Sequence, residues 1–145
     1  MATVKQVLRG KDSEVFTISS GATVYEALEL LAAEDIGALP VVDNGRLVGI
    51  FSERDYARKV ILKGKSSRDT AVDALMTTEV YSVDPDTTIE DCMALMTHRR
   101  VRHLPVLDER RLVGIVSIGD VVKNIIAEQR GQIRELRDYV AGNIY

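Results

Sequence analysis

One cysteine, three prolines and no tryptophan occur among the 145 residues, and the scarcities exclude several classes of protein. A single thiol cannot close an internal disulfide, which fits a reducing compartment, and we expect a cytoplasmic protein. Two histidines beside one cysteine, with Cys92 and His98 six positions apart, do not make a zinc set, so no metal site is expected. No apolar run nears the roughly 20 residues that cross a bilayer, and the opening MATVKQVLRGKDSE lacks the apolar core of a secretory signal; neither membrane insertion nor export is expected. There is no GxGxxG fingerprint. Gly64-Lys65-Ser66 imitates the end of a phosphate-binding P-loop, but Lys59 stands where that motif needs glycine, and the segment follows a helix rather than a strand. The GxSxG elbow is also missing and no serine has an assignable histidine base, so no catalytic residues, and no catalytic cofactor, are expected. A net charge of −3 provides no global field for nucleic acid, and any anion site must be local.

What the chain does contain is a duplication. LPVVDNGRLVGIFSERD (residues 39–55) returns as LPVLDERRLVGIVSIGD (residues 104–120), each residue displaced by 65 positions. From Thr17/Ser82 to Ala57/Val122 no gap is needed, and 13 of 41 pairs are identical. An internal repeat constrains every later inference about fold. At this length the two copies should share one domain.

The periodicity predicts the elements. Thr3 to Leu8 reads as a short helix packing Val4, Val7 and Leu8, with Ala71 to Met76 as its counterpart. Val15 to Ile18 and Val80 to Val83 read as short strands. Thr23 with Glu26, and Thr88 with Asp91, announce helices: the first pair is a capping box and the second a weaker version. Val24, Ala27, Leu28 and Leu31 then recur at helical spacing, as do Ile89, Cys92, Met93 and Met96, which makes Cys92 a small core residue and His98 a solvent-facing one. ALPVV, the turn Asp43-Asn44-Gly45 and Arg46 to Ser52 form a hairpin. In the copy, Asp108-Glu109-Arg110 turns without glycine and need not adopt the same type. A helix follows from about Glu53 toward Leu62, burying Ala57, Val60 and Ile61 and stopped by Gly64. After Asp120 a helical pattern spaces Val122, Ile126, Gln129, Ile133, Leu136 and Val140 into a seam for a partner helix, with Gly131 expected to bend or divide it. The expected class is therefore α/β (α+β): a strand-helix-strand-strand-helix unit used twice, with a C-terminal helical extension. We place the first unit at 1–65, the second at 66–128 and the extension at 129–145.

The two stretches TVYEALELLAAEDIGALPVVDNGRLVGIFSERD and TIEDCMALMTHRRVRHLPVLDERRLVGIVSIGD, each ending in G-h-x-S-x-x-D, resemble a cystathionine β-synthase (CBS) domain pair over nearly the whole chain. The resemblance implies two βαββα units packed about a pseudo-twofold axis, with two clefts that bind adenosine-containing ligands. It further implies a regulatory, flat homodimeric module without catalytic activity, acting on a partner protein that the sequence does not identify. AMP, ADP, ATP and NAD are the ligands expected; the competing reading is an interaction scaffold with empty clefts.

The residues agree with a nucleotide site. A helix opening after Ser52, or after Ser117, presents amides that can receive an anion, and the serines can cap the helix or donate to phosphate. Asp55 and Asp120 are either first-turn acids that favour the helix dipole or, as the resemblance implies, acceptors for the ribose hydroxyls. Arg54, Arg58 and Lys59 share one helix and supply positive charge, or else form a solvated face. Arg102-His103 stands where AMP-sensing members of the family carry a His-Arg pair, in reversed order, which leaves open which one points inward. Thr17, Ser82, Gly37 and Ala38 complete the candidate nucleotide contacts. Because Gly37-Ala38 aligns with Arg102-His103, and Ile118-Gly119 replaces Glu53-Arg54, the two clefts should differ in charge and shape.

Overall fold

The computed structural model of the chain describes residues 2–11 and 14–142. Helix α1 (Val4–Lys11) is followed by α2 (Val24–Glu34), the hairpin β1 (Ala38–Asp43) and β2 (Arg46–Ser52), and α3 (Glu53–Asp55), which continues as a π-helical segment (Tyr56–Ile61). A 3-10 turn (Val72–Ala74) leads to α4 (Ile89–Arg99), β3 (His103–Asp108), β4 (Arg111–Ser117) and the long α5 (Ile118–Val140). This is the mixed architecture expected, with two small antiparallel sheets that touch through β2 and β4.

The strands predicted at Val15–Ile18 and Val80–Val83 shrink to one parallel bridge each, Ile18 beside Val41 and Val83 beside Val106. The reason lies in the LPV motif. Ile18 donates to the Pro40 carbonyl and Val42 donates back to Ile18; the next bond along would need an amide on Pro40, which has none. Pro105 imposes the same limit on the second copy, where Val83 donates to Pro105 and Leu107 to Val83.

Both hairpins adopt one turn conformation, although their sequences did not require it. Asn44 and Gly45 have φ of 51° and 77°, and Glu109 and Arg110 have 51° and 69°. Two successive positive φ values match the right-handed strand twist, so the strands dictate the turn and force two side chains that disfavour it to comply. A bulge follows in each hairpin, where the register shifts between Val41 and Val42 and between Val106 and Leu107.

The two apolar cores exchange their first segments. Val4 and Val7 of α1 pack with Ile89, Cys92, Leu104 and Val116 of the second unit, whereas Val72 and Leu75 pack with Val24, Leu39 and Phe51 of the first. The glycine of each repeated motif is the seat for that exchanged segment. A Cβ on Gly49 would lie 2.6 Å from Met76 Sδ, and one on Gly114 2.7 Å from a Leu8 methyl. Cys92 is the core residue expected: burial, then the Asp91 and Glu90 charges, push its thiol up to about 11, so it stays protonated at neutral pH.

Three further expectations are corrected. Thr23 and Thr88 accept the amides of Glu26 and Asp91 as caps, but the reciprocal capping boxes form instead at Ser52/Asp55 and Ser117/Asp120. In the segment after α3 only Val60 is buried, while Ala57 and Ile61 are exposed, because π-helical winding rotates those residues off the face that a 3.6-residue period assigns. Gly64, at φ 68°, does end the segment. Finally, α5 passes through Gly131 without interruption, as a helix of 23 residues whose exposed glycine has no neighbour within 4 Å to force a bend.

Candidate functional site

The two serines that end β2 and β4 fix the geometry of two clefts. Ser52 Oγ accepts the Asp55 amide at 3.1 Å, and Asp55 Oδ2 accepts the Ser52 amide at 3.0 Å. Ser117 and Asp120 repeat this at 3.2 and 2.9 Å. The amides next in line are also taken, Glu53 by the Gly37 carbonyl and Ile118 by that of Arg102. Two of the first three amides at each helix start are therefore bonded within the chain. Side chains supply further positive charge.

The first cleft, of about 570 Å³, is lined by Ser52, Arg54, Asp55, Arg58 and Lys59 from the first unit and by Arg100, Arg102 and His103 from the second. Arg54 ties the halves together by donating to the Arg100 carbonyl at 3.3 Å. Asp55 is only 8 % exposed. Its Oδ1 accepts Thr77 Oγ1 at 3.1 Å and pairs with Lys59 Nζ at 3.0 Å. By contrast, among the described residues no carboxylate pairs with Arg54, Arg58, Arg100 or Arg102. Tyr81 forms part of the wall, with the Arg99 guanidinium 5.0 Å from its ring centre.

The second cleft, of about 590 Å³, joins Ser117 and Asp120 to Glu34, Asp35, Gly37 and Ala38 of the first unit. Phe16 occupies the place of Tyr81, 65 positions earlier. Here the acid is held by Lys11, whose Nζ lies 2.8 Å from Asp120 Oδ2 and 3.0 Å from the Ile115 carbonyl. Burial pushes the Asp120 carboxyl up, yet the hydrogen bonds and charge of Lys11, with the Ser117 amide, outweigh it and hold the group below the usual carboxylate value.

His103 is shared by both clefts. Between the members of the reversed pair, it is the half-buried inner residue and Arg102 the exposed one. The space beside Gly37 is filled by this imidazole: a Cβ there would lie 3.3 Å from His103 Nε2 and 3.4 Å from Glu53 Oε1. Burial, then the Lys11 charge, lower the His103 pKa; Arg102 adds to the effect and Asp120 opposes it.

Of the sequence-derived candidates, eleven thus line one cleft or both. Thr17 and Ser82 do not. In extended backbone successive side chains turn to opposite sides, so Phe16 and Tyr81 face the clefts while Thr17 is exposed and Ser82 lines a separate shallow recess with Asp84 and Asp91. Sequence reasoning missed Thr77 and Lys11, because each reaches the acid from a segment outside the aligned repeat. It also missed Glu34 and Asp35, because these act across the boundary between units. Among the described residues no three His, Cys, Asp or Glu side chains are grouped to hold a metal ion, and no helix is long and apolar enough to cross a membrane.

Known proteins place this geometry in a family. The CBS domain model matches residues 4–62 and again 72–127. The chain is 38% identical over 149 residues to the CBS domain-containing protein CBSX3, mitochondrial, of Arabidopsis thaliana, covering 97% of this chain and 72% of that one. The solved CBS domain structure NE2398 is similar at 48% identity and a TM-score of 0.83, covering 86% of this chain and 98% of that one. The CBS domain pair of MJ0100, solved in complex with 5′-methylthioadenosine and S-adenosyl-L-methionine, is similar at 28% identity and a TM-score of 0.79, covering 88% and 98%. With the domain matched twice over most of its length, the chain belongs to the CBS domain family, as a tandem pair.

Proposed function

We propose that the protein is a non-catalytic regulatory module that binds adenosine-containing ligands in its two clefts and transmits occupancy to a partner protein. The observation that carries this reading is the first cleft, where a buried acid stands beside four arginines that have no carboxylate partner among the described residues. Such a site suits a ligand with both vicinal hydroxyls and phosphates: the acid accepts the ribose hydroxyls and the guanidiniums bind the phosphates in planar, two-bond fashion. Tyr81 and Phe16 offer an aromatic wall for a base in each cleft. AMP, ADP, ATP and NAD share this chemistry. The adenosine compounds bound by the MJ0100 pair support the nucleoside part.

In the same reading the protein is cytoplasmic and forms a homodimer, for which the exposed seam of Ile126, Ile133, Leu136 and Val140 on α5 is a contributing surface. Calorimetry of the full chain with AMP, ATP and NAD tests the function. Saturable binding without turnover, weakened at least tenfold by Asp55→Ala, supports it. Silence with all three nucleotides at millimolar concentration would favour the empty scaffold, and a released product would show an enzyme.

A further inference from the structure

The clefts carry opposite charge, and part of the difference comes from loops of the opposite unit. Facing Ser52 and Asp55, the loop after α4 delivers Arg100 and Arg102; with Arg54, Arg58 and Lys59 the first cleft holds five cationic side chains against the carboxylates of Glu53, Asp55 and Glu79. Facing Ser117 and Asp120, the equivalent loop after α2 delivers Glu34 and Asp35; with Glu14 and Asp120 the second cleft holds four carboxylates against Lys11 alone. That one lysine is already paired to Asp120 at 2.8 Å. The exchange is positional: Glu34 aligns with Arg99 and Asp35 with Arg100, and Asp35 and Arg100 have matching left-handed backbones at φ 53° and 54°. Otherwise the clefts are alike in volume, in the Ser-x-x-Asp turn and in the aromatic wall. A ligand group at the ribose 5′ position therefore meets one sign of charge in one cleft and the other sign in its mate.

Resting on the adenosine reading above, we infer that these two loops are charge selectors acting across the unit boundary. The first cleft takes adenosine polyphosphates, and the second excludes them in favour of an adenosine whose 5′ substituent is uncharged or cationic. A tri- or tetra-anionic phosphate chain beside four fixed carboxylates is repelled, whereas a 5′-ammonium group is attracted. Screening weakens the effect where the loop is exposed, so the selectivity should be largest at low ionic strength.

The test titrates the full-length protein by calorimetry with ATP, adenosine and 5′-amino-5′-deoxyadenosine. The expected result is one ATP per chain, lost in Asp55→Ala, and one aminonucleoside per chain at a site lost in Asp120→Ala. The double substitution Glu34→Arg with Asp35→Arg installs the residues of the other loop in a backbone that already tolerates them. It should raise ATP stoichiometry from one to two and weaken the aminonucleoside at least tenfold. Should that variant fail to fold, Asp35→Asn, which suits a left-handed residue, should still improve ATP binding at the second cleft several-fold. Two ATP sites of matching affinity in the wild-type chain, or selector variants that leave both stoichiometries unchanged, would overturn the charge assignment while leaving the adenosine reading intact. Absence of binding by all three compounds in every variant would overturn the adenosine reading itself, and this inference with it.

Discussion

Gly49→Ala is the most informative single substitution, because it tests the seat of the exchanged segment and the first cleft together. The added carbon would lie 2.6 Å from Met76 Sδ and 3.0 Å from both Met76 Cγ and the Thr77 carbonyl. The sulfur can swing aside. The carbonyl is bonded to Ile50, with Ile50 N to Thr77 O at 2.9 Å and the reverse bond also 2.9 Å, and so it resists. Overpacking of this kind costs about 1–3 kcal/mol. The alanine regains about 0.5–1 kcal/mol by reducing the freedom of the unfolded chain. The net loss is then up to about 2.5 kcal/mol, or a Tm lower by up to roughly 8 °C for a chain of this size. Gly114→Ala meets only side-chain carbons of the half-buried Leu8, at 2.7 to 3.3 Å, and should cost less than half as much. Urea unfolding of Gly49→Ala, Met76→Ala and the double variant completes the cycle. The double variant should be more stable than the sum of the singles by at least about 0.5 kcal/mol, since truncating Met76 removes two of the three close approaches. Because Thr77 Oγ1 bonds Asp55, Gly49→Ala should also weaken ATP at the first cleft. Strict additivity, or equal costs at Gly49 and Gly114, would refute the reasoning.

Other outcomes follow from the same structure. Replacing Glu109-Arg110 by the Asn-Gly of the first hairpin places residues that favour positive φ at φ 51° and 69° and should raise Tm by about 2–4 °C, with the reciprocal graft at Asn44-Gly45 lowering it by a similar amount. His103 has a pKa lowered by burial, so the folded state prefers the neutral ring. Its contribution to stability is full above the ordinary value of about 6.5 and falls as pH drops below it, and His103→Gln should flatten denaturation midpoints measured between pH 7 and 5. Removing residues after Gln129 should leave Tm nearly unchanged at low protein concentration, because residues 130–142 lie outside both cores, yet shift sedimentation at tens of micromolar from dimer toward monomer.

Fold class was readable because its determinants are local and duplicated: the apolar period of α2 and α4, the Asn-Gly turn, and the LPV and VGI strands all announce themselves within a few residues. The Ser-x-x-Asp turns were readable for the same reason. The missed features depend on contacts between distant segments. Nothing near Lys11 in the sequence shows that it reaches Asp120, and nothing near Glu34 or Asp35 shows that each faces the other unit's cleft. Loss of the first strands was, in principle, visible in Pro40 and Pro105, since an amide that is absent cannot extend a ladder. That the first amide of each of these helices is occupied shows only in three dimensions, where the Gly37 and Arg102 carbonyls accept those of Glu53 and Ile118.

The exchange of first segments has a consequence for the order in which the molecule is made. On the ribosome the hairpin of the first unit is complete at Ser52, but its core stays open until Val72 and Leu75 arrive. Helix α1 is synthesised before the other described elements and is among the last of them to be covered, since its seat on β4 is not finished until Gly114 and Val116 have emerged. At roughly 5–20 residues per second this leaves Val4 and Val7 without their partners for on the order of 5–20 s. A nascent chain cut between the repeats would thus release a first half with α1 uncovered, and the two halves made separately would recover both cores only by pairing with each other.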